Sequence, residues 1–206
     1  MKKLMLTSLM AVFAVSAANA APSYFVGGSA ALKGANGEHN TAWYVAPEFG
    51  WHLSDNWDAG LAAGFAYDNG ITSFNGEALV DDEGNAYTVD KYTYGVKGFA
   101  RYKIAQFGAL NVLLDGSVGL QGQTYDDDEN TESLWSLTAE VSPMVTYNLS
   151  DSFTLYAKLN FLGANAGYTF KNKDLDVKNS WEFKAFGDSS DVLNTGDFKI
   201  GFYYNF

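Results

Sequence analysis

Cysteine is absent from this chain. That excludes a disulfide framework, a thiolate metal centre and a cysteine-linked lipid anchor. Charge is scarce too: 18% of residues are charged, and the balance is acidic, with a formal net charge of −11. An acidic chain of this kind is not expected to bind nucleic acid or anionic membrane surfaces. The two histidines, His39 and His52, lie apart in sequence and make a poor metal pair. No run of 18 apolar residues occurs, so a helical membrane span is excluded.

What is present is glycine, 21 residues of it, and aromatics at 16%. This mix suits short strands and tight turns, and a single domain is expected at this length. The front end reads differently. Lys2 and Lys3 precede an apolar run from Leu4 to Val15, followed by Ser16-Ala17-Ala18-Asn19-Ala20. That is the layout of a secretory signal with an A-x-A cleavage site. The expected organisation is therefore a cleaved signal over 1–20 and one domain over 21–206.

The closing stretch is the most informative. Phe198, Ile200, Phe202, Tyr204 and Phe206 alternate with Lys199, Gly201, Tyr203 and Asn205. Seven earlier segments repeat this period of two, near 23–33, 41–53, 57–67, 92–104, 110–121, 134–149 and from 153 onward. Such alternation marks strands with chemically different faces. Nine charges fall inside these segments: Glu48, Asp58, Lys97, Arg101, Lys103, Asp115, Glu140, Lys158 and Lys199. All lie on the parity opposite to the bulky apolar residues.

Alternation alone fits a soluble barrel with an apolar inside as well as a membrane barrel with an apolar outside. Three features decide for the second. The polar face is poor in charge and rich in small residues, such as Gly60, Ala62, Gly64 and Ala66. A solvated face carries about 25–35% charge. Most tryptophans lie on the other face, and an eight-stranded interior has little room for large rings. Connections also alternate in length. Those near 54–56, 105–108 and 150–152 are short; those near 34–40, 68–90, 122–133 and 171–196 are long. The expected fold is all-β: an eight-stranded antiparallel up-and-down transmembrane barrel. Aromatics near the segment ends, Trp51, Trp57, Tyr102, Tyr147, Phe153 and Phe206 on one side and Trp43, Tyr67, Tyr92 and Trp135 on the other, fit two interfacial belts.

On these residues the domain resembles the small eight-stranded outer-membrane barrels of the OmpA/OmpX type, within the broad porin-like family. The resemblance implies an integral outer-membrane location with both termini periplasmic. It also implies contact with outer-membrane lipid and lipopolysaccharide, and a terminal signal at Tyr204 and Phe206 read by the barrel assembly machinery. A monomer is expected.

The interior charges are expected to pair across a narrow, filled lumen, since unpaired ions there are costly. Either they simply hold the strands together, or a switching partner gates a narrow conductance. No enzyme, cofactor or metal site is expected. His52-Leu53-Ser54 resembles the His-x-Ser of lipid A deacylases, but Ser54 enters a short turn at the end opposite to the outer leaflet. Asp81-Asp82-Glu83 and Asp126-Asp127-Asp128 sit in long connections, as solvated loops or weak divalent-cation sites. The stretches Ile71–Val80 and Ala86–Lys91 read as a tall hairpin turning at Gly84-Asn85. Ser180–Phe186, with Trp181 and Phe183, reads as another protruding strand. Both are candidate surfaces for an extracellular protein. The expected function is a non-enzymatic barrel anchoring such loops; the alternative is a narrow porin-like channel for small solutes or ions.

Overall fold

A computed structural model of the chain describes residues 23–34, 41–71, 73–74, 77–78, 89–126, 131–172, 177–185 and 198–206. The proposed signal over 1–20, His39, Asp81, Asp82, Glu83, Gly84, Asn85, Asp127 and Asp128 lie outside the described residues.

The strands are β1 (Ser23–Gly34), β2 (Thr41–Ser54), β3 (Trp57–Ile71), β4 (Ser73–Phe74), β5 (Glu77–Ala78), β6 (Val89–Phe107), β7 (Leu110–Asp126), β8 (Thr131–Asn148), β9 (Phe153–Leu159), β10 (Ala164–Thr169), β11 (Ser180–Ala185) and β12 (Phe198–Asn205). Every pairing is antiparallel. The ladder runs β8-β7-β6-β3-β2-β1-β12-β9 and closes where β9 pairs back to β8. This is a closed eight-stranded barrel. Closure removes the exposed edges that an open sheet would present to lipid.

The alternation sets the faces. Val26, Phe49, Leu61, Val96, Leu114, Val118, Leu137, Val141, Leu155, Ile200, Phe202 and Tyr204 are exposed on the outside. Glu48, Arg101, Asp115, Ser142, Thr146, Thr154 and Lys158 are buried inside. An apolar exterior around an ionic interior is stable only where the outer medium is itself apolar. Rings cluster outside near both ends: Trp57 against Tyr102 at one, and Trp43, Tyr67 and Tyr92 in a row at the other.

Short turns gather at one end. In the β6–β7 turn Gly108 takes φ +63°, a left-handed conformation that glycine adopts without penalty. In the β8–β9 turn the Phe153 amide donates to Ser150 Oγ (3.1 Å) and the Leu149 amide to the Phe153 carbonyl (2.9 Å). The Phe206 amide donates to the Tyr24 carbonyl (2.9 Å), so the last residue is tied to the first strand at this same end.

The other end departs from the sequence reading in three places. Strands β6, β7 and β8 run for 19, 17 and 18 residues. A tilted strand needs about 9–11 residues to cross a bilayer, so these rise beyond it. Pairing continues to Asp126↔Thr131, and most of the expected loop over 122–133 is therefore hairpin. Second, Phe74 pairs with Glu77. Ser73 also pairs with Ala78, so Ile71–Val80 is not one uninterrupted arm of a hairpin; the expected turn at Gly84-Asn85 lies outside the described residues. Third, the seventh barrel strand is broken. Between Met144↔Lys158 and Val141↔Ala164 it gains residues over β8, and the surplus coils into a 3-10 turn at Asn160–Leu162. The strand expected over Ser180–Phe186 is present as β11, which pairs with β10.

Candidate functional site: the barrel lumen

Inward-facing residues of seven strands, β1, β2, β6, β7, β8, β9 and β12, meet in one layer nearer the short-turn end. Arg101 on β6 is its hub, with a side chain only 1% exposed. Its Nε donates to Asp115 Oδ2 at 2.8 Å, and its Nη2 donates to Glu48 Oε2. Lys158 Nζ donates to the other oxygen of Asp115 at 2.6 Å, and Tyr156 donates its hydroxyl to Glu48 Oε1 at 2.9 Å. Glu140 stands 4.0 Å from Lys158. Strands β2, β6, β7 and β9 are thereby joined through the middle of the cylinder. Two cations face two fully buried carboxylates, so the layer is neutral. That balance is what makes burying ions in so confined a space tolerable.

Apolar side chains complete the layer. Phe25, Phe99, Leu113, Met144, Tyr156 and Tyr203 are buried together. The Arg101 guanidinium lies 4.2 Å from the Phe99 ring centroid, with Tyr156 and Phe25 at 5.4 and 5.7 Å. Flat, weakly hydrated guanidinium stacks well on aromatic faces, which an ammonium does less well. The sequence reading expected little room inside for large rings. The register supplies it. Phe25 stands opposite Gly50, Phe99 opposite Gly60, and Tyr156 opposite Gly201. A Cβ on any of these three glycines would strike the ring it faces. An inward aromatic directly across from an inward glycine was the signal available in the sequence.

Below the layer, at the short-turn mouth, His52 Nδ1 is 2.6 Å from Asp58 Oδ1, and its Nε2 is 3.0 Å from Asn205 Oδ1. His52 thus ties β2 and β3 to β12, two strands further round the wall. Asp58 is spent on this histidine, and Lys103 reaches only the Gln106 side chain at 3.4 Å. A cavity of about 350 Å³ opens at this mouth, lined by Asn111, Thr146, Asn148 and Thr154 among others. Ser54 Oγ accepts from the Asn56 amide at 3.4 Å, a turn contact.

Above the layer the lumen is roomy. Small residues, Ala46, Ala62, Gly64, Ala66 and Gly119, line a cavity of about 150 Å³ with Lys97, Glu140 and Lys199. A second cavity of about 280 Å³ continues toward the long-connection end, past Tyr44, Asp68, Lys91 and Thr93. Universal pairing of the interior charges does not hold here. Lys97 and Lys199 have no carboxylate within 4.0 Å among the described residues. Lys199 instead lies 5.3 Å from the Tyr44 ring centroid.

The remaining candidates lie on the wall. Asp126 ends β7, directly opposite Asp90. Trp181 and Phe183 pair with Tyr168 and Ala166, which in turn pair with the outward Leu137 and Ala139. Their side chains therefore share the lipid-side face, and Trp181 packs on Tyr168 at 4.7 Å. Tyr204 and Phe206 also face outward, 5.1 Å apart.

No family model matches the chain, and no curated protein does. Among solved structures, it is similar to Neisserial surface protein A: 13% identity, 90% of this chain and 96% of that one, TM-score 0.49. It is also similar to a major outer membrane protein of Thermus thermophilus: 18% identity, 91% and 100%, TM-score 0.45. A third likeness is to Ail, the attachment invasion locus protein of Yersinia pestis: 14% identity, 90% and 97%, TM-score 0.35. The fold assignment stands on the strand register given above.

Proposed function

We propose that this chain is a non-enzymatic integral barrel of a bacterial outer membrane, which holds long paired hairpins above the lipid and seals its own lumen. The short-turn end, with both chain termini, faces the periplasm; the long-connection end faces outward. Outer-membrane lipid and lipopolysaccharide surround the wall, and the barrel assembly machinery inserts it through the strand carrying Tyr204 and Phe206. The observation that carries the reading is the Arg101 layer, where ions and rings fill the cross-section between the two vestibules. A wall this well filled suits an anchor better than a diffusion pore.

The surplus length of β6, β7 and β8 supports the anchoring role, because it carries paired backbone beyond the bilayer. The raised hairpins are the surface on offer to an extracellular protein. Trp181 and Phe183 serve this reading as lipid-belt residues rather than as contacts. A gated narrow conductance is the second reading. It is favoured by the vestibules on both sides of a single layer held by Arg101 and Lys158.

Two measurements on the refolded protein and on intact cells test the proposal. Protease added outside cells is expected to cut within 72–88 and 127–130 and to leave a detergent-soluble core. Proteoliposomes are expected not to swell in small sugars. Rapid swelling, or protection of both segments in intact cells, would refute the anchor reading.

A further inference from the structure

The two halves of the lumen treat their cations differently. In the filled layer each cation has carboxylate partners: Arg101 touches Glu48 and Asp115, and Lys158 touches Asp115 with Glu140 beyond. In the vestibule above it, Lys97 from β6 and Lys199 from β12 line one cavity without an ion pair between them and any described carboxylate. Glu140 is the one acid among the described residues that lines this cavity, so two ammonium groups there face a single carboxylate. Further up, Lys91 and Asp68 line the continuing cavity and offset each other. The space holding Lys97 and Lys199 is therefore left with positive charge in excess.

An uncompensated ammonium surrounded by low-dielectric wall is costly, and a mobile anion relieves that cost. The rest of the lining suits an oxyanion. Tyr44 and Thr93 bring hydroxyl donors, and Gln121 brings an amide, at the junction of the two cavities. The chain as a whole is strongly acidic, so two lysines in one pocket without an ion pair to a described carboxylate are not a by-product of a basic composition.

We infer that the vestibule is a binding site for a phosphate or sulfate group entering from the long-connection end, with Lys97 and Lys199 as its two cationic walls. The same chemistry is carried by a soluble ester and by a phosphorylated glycolipid headgroup. This inference is independent of the anchoring role.

The test is calorimetric titration of the refolded protein with inorganic phosphate, in non-ionic detergent at low salt. Saturable binding is expected. It should weaken about tenfold or more in K97M/K199M, since each charge-assisted contact is lost, and stay unchanged in K103M at the opposite mouth. If K97M/K199M does not refold, K97Q and K199Q are titrated singly, each with weaker binding than the parent. Absence of saturable binding, or equal affinity in the lysine variants, overturns the proposal. Repeating the titration with lipid A in the micelle identifies the source. Competition points to a headgroup and its absence to a soluble ester, and either result retains the site.

Discussion

The lower and upper halves of this lumen are built from the same alternating strands and filled in opposite ways. Toward the short turns, glycines stand opposite aromatics, and the rings lie over them in a tight layer around paired ions. Toward the long connections, small residues face one another and leave space, and the two lysines in it form no ion pair with a described carboxylate. The period of two dictates which side chains enter the lumen. It does not dictate whether they meet. That depends on which residues the register sets across from one another.

The sharpest break in this contrast is at the hub. Arg101→Ala leaves Glu48 without its cation and Asp115 with only Lys158. A loss of about 3–5 kcal/mol is expected, the range for breaking one side of a buried ion pair. Urea unfolding of the refolded protein in detergent measures it. In the upper half, Lys97→Met removes no ion pair with a described carboxylate and should destabilise by no more than about 0.5 kcal/mol. Equal losses at the two positions would erase the distinction between the halves.

Next in size is the ring-over-glycine packing. Gly201→Ala sets a methyl against the Tyr156 ring and should destabilise by about 1–3 kcal/mol, as overpacking does. Gly167 has nothing near its would-be Cβ, and Gly167→Ala is the control, expected to be close to neutral. Unfolding midpoints of the two variants sharpen or blunt the comparison directly.

The smallest effect belongs to the short-turn mouth. His52→Ala removes the tie from β2 to Asp58 and Asn205 and should cost about 1 kcal/mol. Because that tie crosses the wall where β12 closes the barrel, it should also speed exchange of the Asn205 amide. Unchanged hydrogen exchange there would show that the histidine does not secure the closing strand.

Much of the fold was legible in the residues. The alternation from Ser23 to Phe206 marks eight strands, and the parity of nine charges tells inside from outside. Less legible was the site. That Arg101 stands beside Asp115 and reaches Glu48 follows from register, which depends on turn geometry and on bulges such as the shift between Lys103 and Ala105. Phe25, Phe99 and Tyr156 were hidden for the same reason: an inward ring looks out of place until its facing glycine is known. The β4–β5 pairing interrupts the stretch from Ile71 to Val80 that the sequence reads as one strand, because alternation alone does not show where a strand folds back on itself. The 3-10 turn after Leu159 was hidden because the alternation runs on without a break into Phe161.

The central claim, that one layer of ions and rings closes the lumen, is tested most directly by planar-bilayer recording of the refolded protein. The account predicts a closed baseline in the parent protein, interrupted at most by rare small openings whose frequency changes in Arg101→Met. A steady ohmic current through the parent protein would contradict it.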